Sequence, residues 1–115
     1  MTSRLILGAT VLAAVAIACL VPATAAAKSC DVGNTRGYGT TYVIEIAAKG
    51  VSCSKAKQLI KAYHDCRPGK KGKCARVDGY SCSERRFNQS PQSYDSEATC
   101  KKGAKRVTHT YTQFT

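Results

Sequence analysis

Residues 51–69 read V-S-C-S-K-A-K-Q-L-I-K-A-Y-H-D-C-R-P-G and contain the most regular pattern in the chain. Their apolar positions recur at helical spacing and form one stripe, made of Cys53, Ala56, Leu59, Ile60 and Tyr63. Ser52 or Ser54 can cap the start of this helix, and the Pro-Gly pair at 68–69 cannot continue it. The segment therefore predicts an amphipathic helix whose stripe covers a core. The opposite, solvent-facing side is expected to carry Lys55, Lys57, Lys61 and His64.

Strand patterns flank this helix on both sides. Before it, residues 41–47 show the period-two alternation of a strand. After it, residues 69–76 form a polycationic loop, and Tyr80 and Cys82 share one face of a short strand. Residues 84–93 contain Asn and Pro and are expected to form a loop.

The last part of the chain predicts a β-hairpin. Residues 96–101 and 106–114 would be its strands, with Gly103 as the first central residue of a type II′ turn. This register places two pairs of residues opposite each other, Cys100 with Val107 and Ala98 with His109. A strand, a helix and a three-stranded antiparallel meander make an α+β domain. The expected architecture is a small disulfide-stapled domain in which one helix packs on a small antiparallel sheet.

Residues 1–27 have the organisation of a signal peptide. A short positively charged start precedes an almost uncharged run at residues 5–21, and two small-x-small cleavage sites follow that run. We expect cleavage after Ala27, or after Ala25, so that residues 28–115 form a single secreted, extracellular domain. No membrane span is expected in the mature form.

Two other roles for this leader stay open. Its apolar run of about 17 residues approaches the ~20 that a membrane-spanning helix needs, so retention as an anchor is one alternative. The other is lipidation, because residues 16–19 (A-I-A-C) resemble a lipoprotein processing box that would attach a lipid to Cys19. The small residues and the two cleavage sites favour removal of the leader.

Disulfides are expected to supply stability that the apolar residues cannot. Residues 28–115 hold only 11 Ile, Leu, Val and Phe residues, few for a folded chain of this charge. Six cysteines remain after removal of the leader, and they are Cys30, Cys53, Cys66, Cys74, Cys82 and Cys100. In an oxidising environment they predict three disulfides. The spacing suits no zinc site, and neither a metal nor a cofactor is expected.

One pairing can be argued from the residues themselves. Cys66 ends the helix and the Pro-Gly turn sends the chain back, so Cys74 can reach the ~5.5 Å Cα separation that a disulfide requires. The other four cysteines then pair among themselves. The preferred arrangement of those four is Cys53–Cys82 with Cys30–Cys100, and the alternatives stay open.

The charge of the chain favours anionic partners. Lys and Arg number 18 against 7 Asp and Glu, a formal net charge of +11. The candidate contact residues lie in predicted loops and turns: Lys70, Lys71, Lys73, Arg76, Arg85, Arg86, Lys101, Lys102, Lys105 and Arg106. Such clusters bind polyanions (wall polymers, nucleic acid or acidic glycans) through counterion release, without sequence-specific recognition of nucleic acid. The alternative is a solvated surface that keeps a secreted protein soluble.

Catalytic residues are harder to find. His64 and His109, with Glu45 and the many cations, could serve a small secreted ribonuclease as acid, base and phosphate clamp. That argument is compositional, because neither histidine comes with a recognisable set of partners. We expect a non-enzymatic protein.

A protein-binding module, such as an inhibitor of an extracellular enzyme, is the alternative from another class. Its contact segment would be the stapled loop Cys66–Cys74, because a rigid loop loses little entropy on binding. Salt discriminates the two functions: polyanion binding should collapse at moderate ionic strength, whereas an inhibitor with a buried anchor should keep its affinity.

Three motifs carry a resemblance to a known group. Residues 46–63 contain G-V-S-C-S-K-A at a helix start, residues 79–82 read G-Y-S-C, and residues 100–107 read C-K-K-G-A-K-R-V. The chain resembles, over about residues 42–112, short uncharacterised secreted disulfide-containing proteins typical of high-GC Gram-positive bacteria. The resemblance implies export and no particular activity. It also implies that four cysteines belong to the shared pattern (Cys30, Cys53, Cys82 and Cys100) and that Cys66 and Cys74 are an added pair.

Overall fold

The fold is taken from a computed structural model, which describes residue 8, residues 12–15 and residues 26–115. The expected signal peptide, its cleavage sites and Cys19 lie largely or wholly outside the described residues. The elements, in chain order, are β1 (Lys28–Cys30), β2 (Tyr42–Lys49), α1 (Cys53–Cys66), a short 3-10 turn (Pro68–Lys70), β3 (Arg76–Val77), β4 (Tyr80–Phe87), β5 (Ser93–Lys102) and β6 (Lys105–Phe114).

The helix confirms the sequence pattern. The Ser52 side chain accepts a hydrogen bond from the Lys55 amide at 3.2 Å and so caps the first turn. Arg67 adopts an extended conformation before Pro68 and ends the helix, as a residue before proline tends to do. The buried face consists of Ala56, Leu59, Ile60, Tyr63 and His64. His64, expected to face solvent, is therefore part of that face, and the prediction of its exposure is wrong.

The sheet is larger than the sequence indicated. Six strands pair antiparallel in the order β1-β2-β6-β5-β4-β3. The prediction of a loop over residues 84–93 is wrong at both ends, because β4 continues to Phe87 and β5 already begins at Ser93. Its strand pattern was hidden because Glu84 and Arg86, although charged, point to the inner face of the sheet beneath the helix.

The β5–β6 hairpin forms as expected. Cys100 lies opposite Val107 and Ala98 opposite His109, and Gly103 has the positive φ of 58° that the first central residue of a type II′ turn requires. On its other side β6 pairs with β2, which bulges between Val43 and Glu45. Strand β6 thus lies near the middle of the sheet.

Three disulfides tie these elements together, and they join Cys30 to Cys53, Cys66 to Cys74 and Cys82 to Cys100. The expected Cys66–Cys74 pair is present, with Cα atoms 5.6 Å apart. The preference for Cys53–Cys82 with Cys30–Cys100 is wrong. Cys82 and Cys100 lie directly opposite each other on neighbouring strands, and β1 places Cys30 beside the start of the helix.

The core lies between α1 and one face of the sheet, called here the inner face. Its apolar members come from the helix and from β2, β5 and β6, and include Ile46, Ile60, Ala98 and Val107. The other face, the outer face, is covered by no helix of the described chain. Among the residues that the structure describes, no helix is both long enough and apolar enough to cross a bilayer. Three disulfides are compatible with an extracellular protein.

Candidate functional site

Polar and charged side chains collect on the inner face between the sheet and the end of α1. This inner polar cluster comprises Tyr63, His64, Arg67, Glu84, Arg86, Tyr94, His109, Tyr111 and Gln113. Of these residues, the sequence predicted only the two histidines and Arg86 as functional candidates, and it placed Tyr63 on the apolar stripe of the helix.

Glu84 is the acidic centre of the cluster, and its side chain is 0% exposed. One carboxylate oxygen accepts hydrogen bonds from the hydroxyls of Tyr63 (2.7 Å) and Tyr111 (2.6 Å), and the other accepts one from Nε of Arg86 (3.0 Å). Burial by itself would raise the pKa of Glu84, but these hydrogen bonds and the Arg86 charge outweigh it and lower the pKa. Glu84 is therefore ionised at neutral pH, and both of its carboxylate oxygens are hydrogen-bonded within the fold.

Arg67 is the buried cation of the cluster and is only 2% exposed. Its guanidinium donates to neutral acceptors: the Gly72 carbonyl (2.6 Å), Nδ1 of His64 (3.0 Å), Oε1 of Gln113 (3.2 Å) and the Tyr94 hydroxyl (2.8 Å). It also lies 4.8 Å from the centre of the Tyr111 ring. Several hydrogen bonds thus compensate the loss of water around this charge.

The two histidines form a buried pair. Nε2 of His64 lies 2.9 Å from Nε2 of His109. Because Arg67 can only donate, Nδ1 of His64 must accept, so the proton of His64 sits on Nε2 and is donated to His109. His109 is then protonated on Nδ1, and both rings are neutral.

Burial first, and the nearby Arg67 charge as well, lower the pKa of His64 to about 3. For His109, burial first, and then the neighbouring His64 and Arg67, lower the pKa to about 3 against the opposing effect of the Glu84 charge. Each ring is 2% exposed. The structure therefore brings together the two histidines of the ribonuclease hypothesis but encloses them, while Glu45 is exposed on the outer face.

The cluster also anchors the loop between Cys66 and Cys74. The Lys71 carbonyl accepts from the Tyr94 hydroxyl (2.9 Å) and from Nη2 of Arg86 (3.0 Å), and the next carbonyl, of Gly72, accepts from Arg67. These bonds add to the disulfide and to the 3-10 turn. The loop is held rigidly, and Lys70, Lys71 and Lys73 are exposed on it.

Four cations line up on the outer face. Strand pairing puts Lys49 opposite Arg106, Arg106 opposite Lys101, Lys101 opposite Ser81, and Ser81 opposite Arg76. Directly opposed residues project to the same side, with Cβ atoms about 5 Å apart. We call Lys49, Arg76, Lys101 and Arg106 the outer cation row.

Among the residues that the structure describes, no member of the outer cation row has a carboxylate within 4.0 Å. Within the described part of the chain, carboxylates pair with basic side chains within 4.0 Å only at Lys70–Asp65 and Arg86–Glu84. The row therefore sets like charges directly opposite each other across β2, β6 and β5, which costs folding energy. A shallow concavity beside it is lined by Lys49, Lys101, Gly103, Ala104, Lys105 and Arg106.

Two further rows run parallel to the outer cation row. The first, called here the hydroxyl row, lies two residues along each strand from the outer cation row and is formed by Ser83, Thr99 and Thr108. Two residues farther lies a row that contains Glu45, Thr110, Glu97 and Arg85. Along the strands the outer face thus changes from a basic row to a hydroxyl row and then to a row in which two carboxylates outnumber one guanidinium, called here the acidic row.

The remaining predicted contact residues are dispersed. Lys70 pairs with Asp65 at 3.3 Å, Arg85 lies over the Phe87 ring at 5.1 Å, and Lys102 lies over the Tyr80 ring at 5.8 Å. Lys105 is exposed at the hairpin end. Arg86, by contrast, was expected on a surface loop but belongs to the inner polar cluster, where Glu84 and the Lys71 carbonyl engage it.

Lys49 is the member of the outer cation row that the sequence reasoning did not single out. It stands at the end of β2, isolated from other basic residues in the sequence, and only the pairing of β2 with β6 brings it next to Arg106. Strand alternation could have placed Lys49 on the outer face, but no sequence signal pairs the first long strand with the last.

No protein-family model matches the chain, and neither a curated protein nor a solved structure is significantly similar to it. In the described part of the chain, no group of three or more His, Cys, Asp or Glu residues is arranged to hold a metal ion.

Proposed function

We propose that the protein is a non-enzymatic binding module for anionic extracellular polymers, and that the outer cation row is its contact surface. The observation that carries this proposal is the alignment of Lys49, Arg106, Lys101 and Arg76 across five neighbouring strands without a carboxylate partner in the described chain. A row of opposed like charges contributes nothing favourable to the fold. An anionic polymer would relieve the repulsion and release its own counterions.

The proposed place of action is outside the cell, after removal of residues 1–27. The leader pattern supports export. Three disulfides support an oxidising environment, because such bonds persist there and are rare in reducing compartments.

The proposal includes no catalytic step. Both histidines are neutral, hydrogen-bonded to each other and 2% exposed, so neither can exchange a proton with a polymer on the surface. Glu84, which lies in the same row of the sheet as His109, is bound by two tyrosines and Arg86. These partners are those of a structural network.

The experiment measures binding of fluorescently labelled inorganic polyphosphate to the oxidised protein at about 50 and about 200 mM salt. A triple variant, Lys49→Gln/Lys101→Gln/Arg106→Gln, should flatten the slope of log K against log salt by about 2 and weaken binding about tenfold or more at low salt.

The matched control removes the same charge from the helix surface, as Lys55→Gln/Lys57→Gln/Lys61→Gln. It should lower the affinity about threefold or less, through net charge alone. Equal losses in the two variants, or no binding by the unmodified protein, would refute the outer cation row as a site.

A second function is favoured by a separate observation, the anchoring of the Cys66–Cys74 loop by Arg67, Tyr94 and Arg86. Rigid display of Lys70, Lys71 and Lys73 suits an inhibitor-like module that inserts a basic loop into an acidic pocket of an extracellular enzyme. Such binding would persist at moderate salt and would be unaffected by the triple variant of the outer cation row.

A further inference from the structure

We infer that the polymer bound by the outer cation row is a polyol phosphate, a chain of phosphodiesters joined by short hydroxylated linkers, and that it lies across the strands. This inference rests on the proposed function and deepens it. What carries it is the direction of the row, the spacing of its charges and the hydroxyl row beside it.

The direction follows from the charge pattern of the outer face. A polyanion that ran along the strands would leave the outer cation row and reach the acidic row about 13 Å away, four residues farther at ~3.3 Å each, where Glu45 and Glu97 outnumber Arg85. A polyanion that runs across the strands stays on Lys49, Arg106 and Lys101, then reaches the Ser81 hydroxyl and Arg76. The acidic row therefore confines the ligand to the basic end.

The spacing of the row sets the charge density of the ligand. Five strands about 4.8 Å apart span ~19 Å, with a cation or hydroxyl at every strand. Long, flexible Lys and Arg side chains can each reach one of the successive anionic groups of a phosphodiester chain that crosses the strands. Arg106 and Arg76 add planar forks that bind two phosphate oxygens at once.

The chemistry of the linker follows from what lies next to the cations. Ser83, Thr99 and Thr108 offer hydroxyls that both donate and accept, which suits a polyol. Outer-face rings lie at the other end of the sheet: Phe87 is six residues along β4 from Ser81, about 20 Å away. Among the described strands, the outer cation row has no outer-face ring beside it on which nucleic acid bases could stack, and base stacking is a main source of affinity for single strands.

The test compares three labelled polymers of equal charge number: poly(glycerol phosphate), oligo(dT) and polygalacturonate. The oxidised protein should bind poly(glycerol phosphate) about fivefold or more tightly than either of the others. Thr108→Val, which removes one hydroxyl beside the cations, should weaken that binding about 2- to 10-fold, the loss of one hydrogen bond, and should leave oligo(dT) binding unchanged.

Thr110→Val is the matched control, because Thr110 lies on the same strand and the same face, one outer row farther from the cations. Thr110→Val should leave the affinity for all three polymers unchanged. Equal or tighter binding of oligo(dT) or polygalacturonate would overturn the assignment of a polyol phosphate as the ligand, but it would agree with the proposed function. An equal effect of the two Thr→Val variants would overturn the role of the hydroxyl row. If none of the three polymers binds, both the inference and the proposed function fail.

Discussion

The inner and outer faces of the sheet use arginine in opposite ways. On the inner face, Arg67 is 2% exposed and donates to four neutral acceptors. On the outer face, Arg106 is exposed and stands between Lys49 and Lys101. An arginine surrounded by acceptors has its hydrogen-bonding capacity used by the fold, whereas an arginine between two lysines keeps it free for a ligand. Residue type and local charge density alone do not separate these two cases.

Arg86 shows how easily the cases are confused. In the sequence it sits beside Arg85 and forms part of a basic pair. Strand alternation sends Arg85 outward and Arg86 inward, where Arg86 binds Glu84 and the Lys71 carbonyl. On the inner face, Arg86 helps to hold the stapled loop through the Lys71 carbonyl, whereas the outer cation row has no carboxylate within 4.0 Å in the described part of the chain.

The largest effect is expected from acidification between pH 6.5 and 4.5, which acts through the two buried histidines of the inner face. In the folded protein the pKa values of His64 and His109 are about 3, below the ordinary 6.5, so the unfolded chain binds more protons below pH 6.5. The free energy of unfolding should be unaffected by the pair above that pH. It should fall from pH 6.5 to 4.5, by up to about 1.4 kcal/mol per pH unit for each histidine.

This window isolates the histidines, because Glu84, whose ordinary pKa is 4.5 and whose folded pKa is lower, costs stability only as pH falls further. Chemical denaturation at several pH values measures the slope, and NMR of the imidazole carbons reports protonation. His64→Gln/His109→Gln should flatten the slope. A histidine that titrates near pH 6.5 in the folded protein would contradict the buried neutral pair.

Arg67→Met tests the inner face by substitution. Loss of the guanidinium leaves buried acceptors unpaired, on His64 and Gln113 among others, and should lower the free energy of unfolding by about 2–4 kcal/mol. The amides of the stapled loop should also exchange faster with solvent, because the Gly72 carbonyl loses its donor.

Arg106→Met is the matched change on the outer face and should alter stability by about 0.5 kcal/mol or less. Urea denaturation of the two oxidised variants makes the measurement. Similar losses of unfolding free energy in the two variants would contradict the different roles assigned to arginine on the two faces.

The smallest effect is expected from relief of repulsion on the outer face. Lys101→Thr removes the cation opposite Arg106 and introduces Thr, a residue that strands accommodate well. The free energy of unfolding should therefore rise by about 0.2–0.5 kcal/mol at low salt. The gain should vanish at about 1 M salt, where the Debye length is ~3 Å. A loss of stability at low salt would show that Lys101 has a favourable partner in the fold.

Local patterns predicted the parts of the fold that short-range geometry controls. The helix from Cys53 with its Ser52 cap, the hairpin register around Gly103 and the Cys66–Cys74 bond all depend on residues close in the sequence. The end of β4 was missed because Glu84 and Arg86 look like surface residues. The burial of Glu84 depends on Tyr63 and Tyr111, which the sequence places far from it.

Sequence alone settled which segments are helix and hairpin, how many cysteines could pair and how strongly basic the chain is, because composition and periodicity are local properties. Tertiary pairing settled the rest: β2 beside β6, Cys30 with Cys53, histidines from α1 and β6 in contact, and Lys49 in one row with Arg76. Each of these depends on contacts between distant residues. The physical reason is that a side chain is free or engaged according to the groups that surround it in space, and those groups are assembled only when the sheet closes over the helix.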